Sequence, residues 1–112
     1  FAGELERRTL QFAARIIRLS SHIPNTIEGK VVRNQMTKSG TSVGADYREA
    51  NRARSRADFH NKISTCEKEA SETQYWLEII KETSWLPWQR IKPDFEECSQ
   101  LLAIFTSVGK AK

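Results

Sequence analysis

Core-type side chains recur along this chain with an alternating four-three spacing, four times over, and this repeat restricts the fold more than any other feature. The first stripe runs Leu5, Thr9, Phe12, Ile16, Leu19, Ile23. The third runs Phe59, Ile63, Cys66, Ala70, Thr73, Leu77, Ile80, and the fourth Ile91, Phe95, Cys98, Leu102, Phe105. The second is weaker: Val32, Met36, Ser39, Val43, Asp46, Ala50, Ala53. A period of about 3.5 residues keeps one helix face on one neighbour and implies left-handed, near-antiparallel packing. Four such helices with short connections make an all-α, antiparallel, up-down-up-down four-helix bundle, left-handed.

Helices are expected at approximately 3–22, 26–53, 56–84 and 88–108 of a single domain spanning 1–112. Pro24 ends the first, and Asn25 or Thr26 can cap the second. Ser55 with Asp58 three residues on resembles a capping box for the third. Pro87 suits the first turn of the fourth, and Pro93 suggests a helical turn at 88–92 followed by a kink. A rise of about 1.5 Å per residue makes a rod of about 30–40 Å. Its connections are too short for a lid or a deep cleft, which argues against a small-molecule enzyme.

The second segment places Ser39, Gly40, Val43 and Gly44 where a core would carry larger side chains. Each glycine costs a helix interior about 1 kcal/mol relative to alanine. Close packing repays that cost, through a partner helix or a bulky side chain such as Trp76, Phe12 or Phe105 lying across the low ridge. Asp46 falls on the same stripe, and a lone buried carboxylate is costly. Counting from the connections places it level with Arg7 and Arg8 on one side and with Ile63 to Cys66 on the other. Arg8 is therefore the expected partner, in a structural pair Arg8–Asp46 that sets helix register.

Charge is unevenly spread. Residues 30–56 hold Lys30, Arg33, Lys38, Arg48, Arg52, Arg54 and Arg56 against Asp46 and Glu49, a net +5, whereas residues 57–105 hold nine acids against five bases, a net −4. Such a dipolar molecule suits a polyanionic partner or a self-complementary oligomer. Arg33, Lys38, Arg48, Arg52, Arg54 and Arg56 are the candidate nucleic-acid-binding residues, through salt-sensitive phosphate contacts. Two other readings apply to them. They can be a solvated helix end, or they can meet the acidic face of a neighbour's third helix (Glu67, Glu72, Glu78, Glu82), a heterologous contact that closes into a ring when the rotation permits.

Nothing points to catalysis, and no catalytic residue, cofactor or metal ligand is expected. Cys66 and Cys98 read as small core hydrophobes, separated by about 12 Å along the axis at helical rise and so unable to pair. His22 and His60 lack partners at metal-ligand spacing. The glutamates at 67, 69 and 72 lack the Glu-x-x-His of carboxylate metal bundles. No phosphate loop, nucleophile elbow or dinucleotide fingerprint occurs. Trp76, Trp85 and Trp88 cluster around the third connection and read as a cap on one end of the core. No apolar run approaches the roughly 18 residues needed to cross a membrane. No secretory leader is visible, and the chain reads as cytoplasmic.

The stretches RTLQFAARIIRL, SGTSVGADYREANRARSRADFHNKI and CEKEASETQYWLEII, with a looser ECSQLLAIFTSVGKAK, together resemble a bacterial four-helix bundle family. It includes proteins encoded in intervening sequences of the large-subunit ribosomal RNA gene. The resemblance implies an antiparallel bundle and a ring-forming homo-oligomer, typically a pentamer. It also implies similarity to the accessory protein of diversity-generating retroelements, which binds a reverse transcriptase and nucleic acid through a basic surface. RNA or DNA and a protein partner are therefore expected alongside self-association. The family pattern carries Asn where Asp46 stands, and commonly Arg where Lys38 stands.

The leading expectation is a non-enzymatic, ring-forming module that binds nucleic acid or serves a ribonucleoprotein. The alternative is a purely structural or protein-interaction oligomer whose basic and acidic faces satisfy each other.

Overall fold

Local groups set the helix ends. Thr26 Oγ1 accepts a hydrogen bond from the Gly29 N–H at 3.0 Å and starts the second helix. Ser55 Oγ accepts from the Asp58 N–H at 3.0 Å and starts the third. Pro87 stands just outside the fourth helix, with extended backbone angles, as its N-terminal flanking residue. In the computed structural model, which describes residues 1–111, the elements are α1 (Ala2–Ser20), α2 (Ile27–Ala50), α3 (Arg56–Glu82) and α4 (Trp88–Lys110). Helix α4 is assigned without interruption through Pro93. The proline lies in the sixth position, where one intrahelical hydrogen bond is lost.

The end of α3 is a Schellman motif. Ser84 N–H donates to Lys81 O at 3.1 Å and Trp85 N–H to Ile80 O at 3.2 Å, with Ser84 in the left-handed region at φ 56°. This closure usually falls to glycine. Here a serine makes it, and Trp85 packs on the core behind it.

Contacts between helices give their directions. Gly40 faces Ile16 and Gly44 faces Thr9 across α1 and α2. Across α2 and α3, Cys66 reaches Val43 and Thr73 reaches Ser39. Glu67 meets Thr106 and Gln74 meets Ser99 across α3 and α4. Arg8 meets Glu97 and Arg15 meets Asp94 across α1 and α4. In every pair one number rises as the other falls, so neighbours run antiparallel around a four-helix core. The molecule measures 44 × 24 × 20 Å.

The core is one cluster in which Phe12, Ile16, Met36, Val43, Ile63, Leu77, Ile80, Ile91, Leu101 and Phe105 are wholly buried. Burying each such side chain stabilises the fold by about 1.5–3 kcal/mol. The stripes of α1 and α3 match the expected residues, although Phe59, first in the α3 stripe, is only half-buried. Two others shift by one residue. In α2 the position after Val43 is taken by Tyr47, not Asp46, so the buried set is Val32, Met36, Ser39, Val43, Tyr47, Ala50. Four residues separate Val43 from Tyr47, which restores the natural 3.6-residue period and puts a large ring in place of a carboxylate. Tyr47 lies 5.6 Å from Phe105, centroid to centroid. In α4, Leu101 is wholly buried and Leu102 only partly, while Asp94 lies inward of Phe95.

The small residues of α2 receive α1, not an aromatic ring. A Cβ on Gly40 would fall 2.8 Å from Ile16 Cγ2, and one on Gly44 would fall 3.0 Å from Thr9 Oγ1. A hydroxyl pair crosses the centre: Thr73 Oγ1 and Ser39 Oγ lie 2.8 Å apart, both buried. Ser39 donates to Met36 O, which leaves Thr73 to donate to Ser39 or to Glu69 O.

Candidate nucleic-acid interface

The connection from α2 to α3 gathers the arginines at one end of the bundle. Asn51 and Arg52 close the last turn of α2 by donating to Tyr47 O and Glu49 O, and Ser55 opens α3. Arg52 and Arg54 on this connection and Arg56, the first residue of α3, are exposed and form no ion pair among the described residues. Arg48, one turn earlier, makes a loose 3.6 Å approach to Glu6 with its side chain half exposed. Glu6 also accepts from Asn51 Nδ2 at 2.8 Å, so a single carboxylate tempers this end of α2.

The other two candidates lie elsewhere. Lys38 is exposed and Arg33 half-buried on α2. At about 1.5 Å per residue they stand about 15 and 22 Å along the axis from Arg48. Five residues of helix also turn them about 140° apart. The six expected residues are thus one cluster of four and two separate cations.

The Arg8–Asp46 pair is not formed. Arg8 Nε and Nη2 donate to the two carboxylate oxygens of Glu97 at 2.7 and 2.9 Å, and Nη2 donates to Gln100 at 2.6 Å. Axial height is as counted, since Thr9 meets Gly44 and Glu6 meets Arg48. Azimuth is what differs: Arg8 lies on the α4 flank of the α1 stripe, and Glu6 lies on the α2 flank. Asp46 sits half-buried beside the stripe. Desolvation pushes its carboxyl above the usual range, Lys62 pulls it partly back, and Glu49 raises it further. The bidentate pairing holds the Glu97 carboxyl below its usual range.

A second bridge on the same seam joins Arg15 Nε to Asp94 Oδ1 at 2.6 Å, with Asp94 only 8 % exposed. Sequence reading found neither bridge, because the partners are 79 and 89 residues apart and only the folded register brings them together. The same register builds a second basic shelf at the opposite end of the bundle, where Arg15, Arg18, His22 and Arg90 surround Asp94. The acids of α3 also divide. Glu78 and Glu82 are exposed, but Glu67 accepts from Thr106 Oγ1 at 2.6 Å and faces α4.

Two grooves flank the bundle. Between α1 and α2, a groove of about 360 Å³ is lined by Leu10, Ala13, Ala14, Ile17, Gly44 and Ala45 among others. Leu10 and Ile17 remain 58 % and 49 % exposed on it. Between α3 and α4, near the tryptophans, Tyr75, Ile79, Trp88 and Phe95 line another, with Glu78 and Glu82 beside them. Trp76, Trp85 and Trp88 pack on the core, and Lys81 Nζ sits 4.5 Å above the Trp88 ring.

Cys66 and Cys98 are free and wholly buried, their thiols donating to Val43 O and Ala70 O. Burial pushes both thiols up to about 12, where a thiolate nucleophile is suppressed. Among the described residues no three His, Cys, Asp or Glu side chains converge as a metal site needs. No helix among them is long and apolar enough to cross a membrane.

The chain folds as an antiparallel four-helix bundle with an exposed arginine cluster at one end. The profile of the family described as 23S rRNA-intervening sequence protein matches residues 4–107, and the chain belongs to that family. Among solved structures, it is similar to a protein of unknown function from the S23 ribosomal protein family of Bacteroides thetaiotaomicron VPI-5482. The two are 36 % identical, the match covers 95 % of this chain and 98 % of the other, and the TM-score is 0.87. No curated protein matches the chain.

Proposed function

We propose that this protein is a non-enzymatic, ring-forming helical bundle that binds nucleic acid, or serves a ribonucleoprotein as an accessory module, through its basic surface. One observation carries the reading: Arg52 and Arg54 on the α2–α3 connection and Arg56 in the first turn of α3 crowd together without ion-pair partners among the described residues, with Arg48 one turn earlier. Arg8 and Arg15, by contrast, are tied to Glu97 and Asp94. Guanidinium groups left free at one end suit phosphates, which accept their forked donors. The family's description, an intervening sequence of 23S rRNA, is consistent with an RNA setting. In this reading Lys38 and Arg33 extend the field along α2.

A second reading rests on the α1–α2 groove. Leu10 and Ile17 are large apolar side chains left half exposed beside a floor of alanine and glycine, a surface that a neighbouring helix covers well. The protein is then an interaction oligomer in which a basic α2 meets exposed Glu78 and Glu82 of the next copy.

Filter binding to RNA and to duplex DNA at low salt separates the two. The nucleic-acid reading expects the wild type to bind both at least tenfold more tightly than an Arg48/Arg52/Arg54/Arg56→Ala variant. Equal retention of the two proteins would leave only the interaction oligomer.

A further inference from the structure

Beside the arginine cluster the two helix ends leave a shallow groove of about 370 Å³, lined by Arg56, Phe59 and His60 of α3, by Val108 of α4 and by Ala111 just past its end. Arg56 and His60 are one turn apart and share a face. Phe59 and His60 are half-buried, with ring centroids 5.8 Å apart and planes at 79°, so two aromatic surfaces meet nearly at right angles. Phe59 rests on the core behind it, which fixes its ring. Val108 and Ala111 supply an apolar wall.

We propose that this groove is a stacking subsite for an unpaired nucleobase, so that the protein prefers single-stranded or looped nucleic acid over a duplex. The inference rests on the nucleic-acid reading above and names the form of ligand that site takes.

The charge distribution favours this occupant. The N-terminal end of α3 and the C-terminal end of α4 meet here, and their dipoles oppose. The partial charges of the two helix ends therefore offset each other, and apart from Arg56 and His60 the lining is apolar, which suits a base. Arg56, with Arg52 and Arg54 on the connection next to it, has no ion-pair partner among the described residues, which suits the phosphates on either side of that base. A duplex keeps its bases stacked inside and can use only the arginines. A single strand can use both, and stacking one base on an aromatic side chain is worth about 1–3 kcal/mol.

Fluorescence anisotropy with a labelled mixed-sequence 12-mer RNA, alone and annealed to its complement, tests this at one fixed salt concentration. Wild type should bind the single strand more tightly than the duplex. Phe59→Leu combined with His60→Ala keeps an apolar residue on the core and removes both rings. It should weaken single-strand binding by about tenfold or more, the loss of one stacked base, and leave duplex binding within twofold. Phe59→Tyr keeps the ring and should retain the preference, which guards against a folding defect in the double variant. Equal affinity of wild type for the two forms, or a single-strand affinity unmoved by the double substitution, overturns the subsite. If binding persists in that case and still falls with Arg52/Arg54/Arg56→Ala, the basic surface stands alone. Absence of binding to either form overturns the subsite together with the nucleic-acid reading.

Discussion

At the residue scale, two positions show how local backbone demands and side-chain identity compete. Ser84 occupies the left-handed turn that closes α3, at φ 56°. A non-glycine residue there costs about 1–2 kcal/mol. Ser84→Gly relieves it at the price of a more flexible unfolded chain, so it should stabilise the protein by about 0.5–1 kcal/mol in urea denaturation. Gly40 presents the opposite case. Helix propensity alone favours Gly40→Ala by about 1 kcal/mol, yet the new methyl would lie 2.8 Å from Ile16 Cγ2 and 3.1 Å from Ile16 Cβ, within a side chain that is wholly buried. Overpacking costs about 1–3 kcal/mol against that gain, so stability should fall by up to about 2 kcal/mol net. Gly29→Ala should cost more, because its Cβ would fall 1.9 Å from Pro24 O, a backbone atom that cannot step aside. Gly3, with nothing within 4 Å of its would-be Cβ, is the control and should gain slightly or stay neutral.

At the element scale, the α1–α4 seam depends on two ion pairs where the other seams depend on packing and hydroxyl contacts. Glu97 titrates below the ordinary carboxylate range because Arg8 holds its ionised form. A depressed acid contributes stability that is fully present above its unfolded value of about 4.5 and disappears as pH falls through the lower folded value. Asp46 and Glu69 run the other way: burial raises them, so ionisation costs stability at neutral pH and that cost is relieved on acidification. Glu97→Gln should therefore destabilise the protein by about 1 kcal/mol at pH 7, a figure kept small because Arg8 is partly exposed. The difference from wild type should shrink as pH falls through the lowered Glu97 value and disappear at the acid end of thermal melts taken across pH. Asp46→Asn should raise the melting temperature at pH 7 and make no difference at that acid end.

The same seam shows what the sequence disclosed and what it withheld. Spacing revealed the four helices, the caps at Thr26 and Ser55, and the axial heights at which residues meet. The height that sets Asp46 level with Arg8 is kept, since Gly44 meets Thr9 and Arg48 meets Glu6. Spacing did not disclose azimuth. A strict 3.5-residue count put Asp46 on the α2 stripe, while the helix, turning nearer 3.6 residues, gave that place to Tyr47. Arg8 was set at the right height but turned to α4. For the basic surface, the cluster at Arg48 to Arg56 was legible because one short connection holds it. The shelf of Arg15, Arg18 and Arg90 was not, because α1 and α4 assemble it from opposite ends of the sequence.

At the scale of the whole molecule, the surface divides into an apolar flank between α1 and α2 and a basic end at the α2–α3 connection. If the α1–α2 groove is the site of self-association, Leu10→Glu with Ile17→Glu should reduce the mass seen by light scattering while helix content by circular dichroism is kept, since neither side chain belongs to the core. A mass that is monomeric in the wild type at every salt concentration would contradict ring formation.

The basic end makes the central claim, and the salt dependence of binding measures it most directly. Contacts by three to four arginines with duplex phosphates should give a slope of about −3 to −4 in log K against log salt, since each neutralised phosphate contributes about −0.9. The account predicts that slope for the wild type, a decrease of about one in its magnitude for each of Arg52, Arg54 and Arg56 replaced by Ala, and no change for Arg18→Ala with Arg90→Ala at the opposite end. A slope near zero, or one that responds to Arg18 and Arg90 and not to the α2–α3 connection, would contradict it.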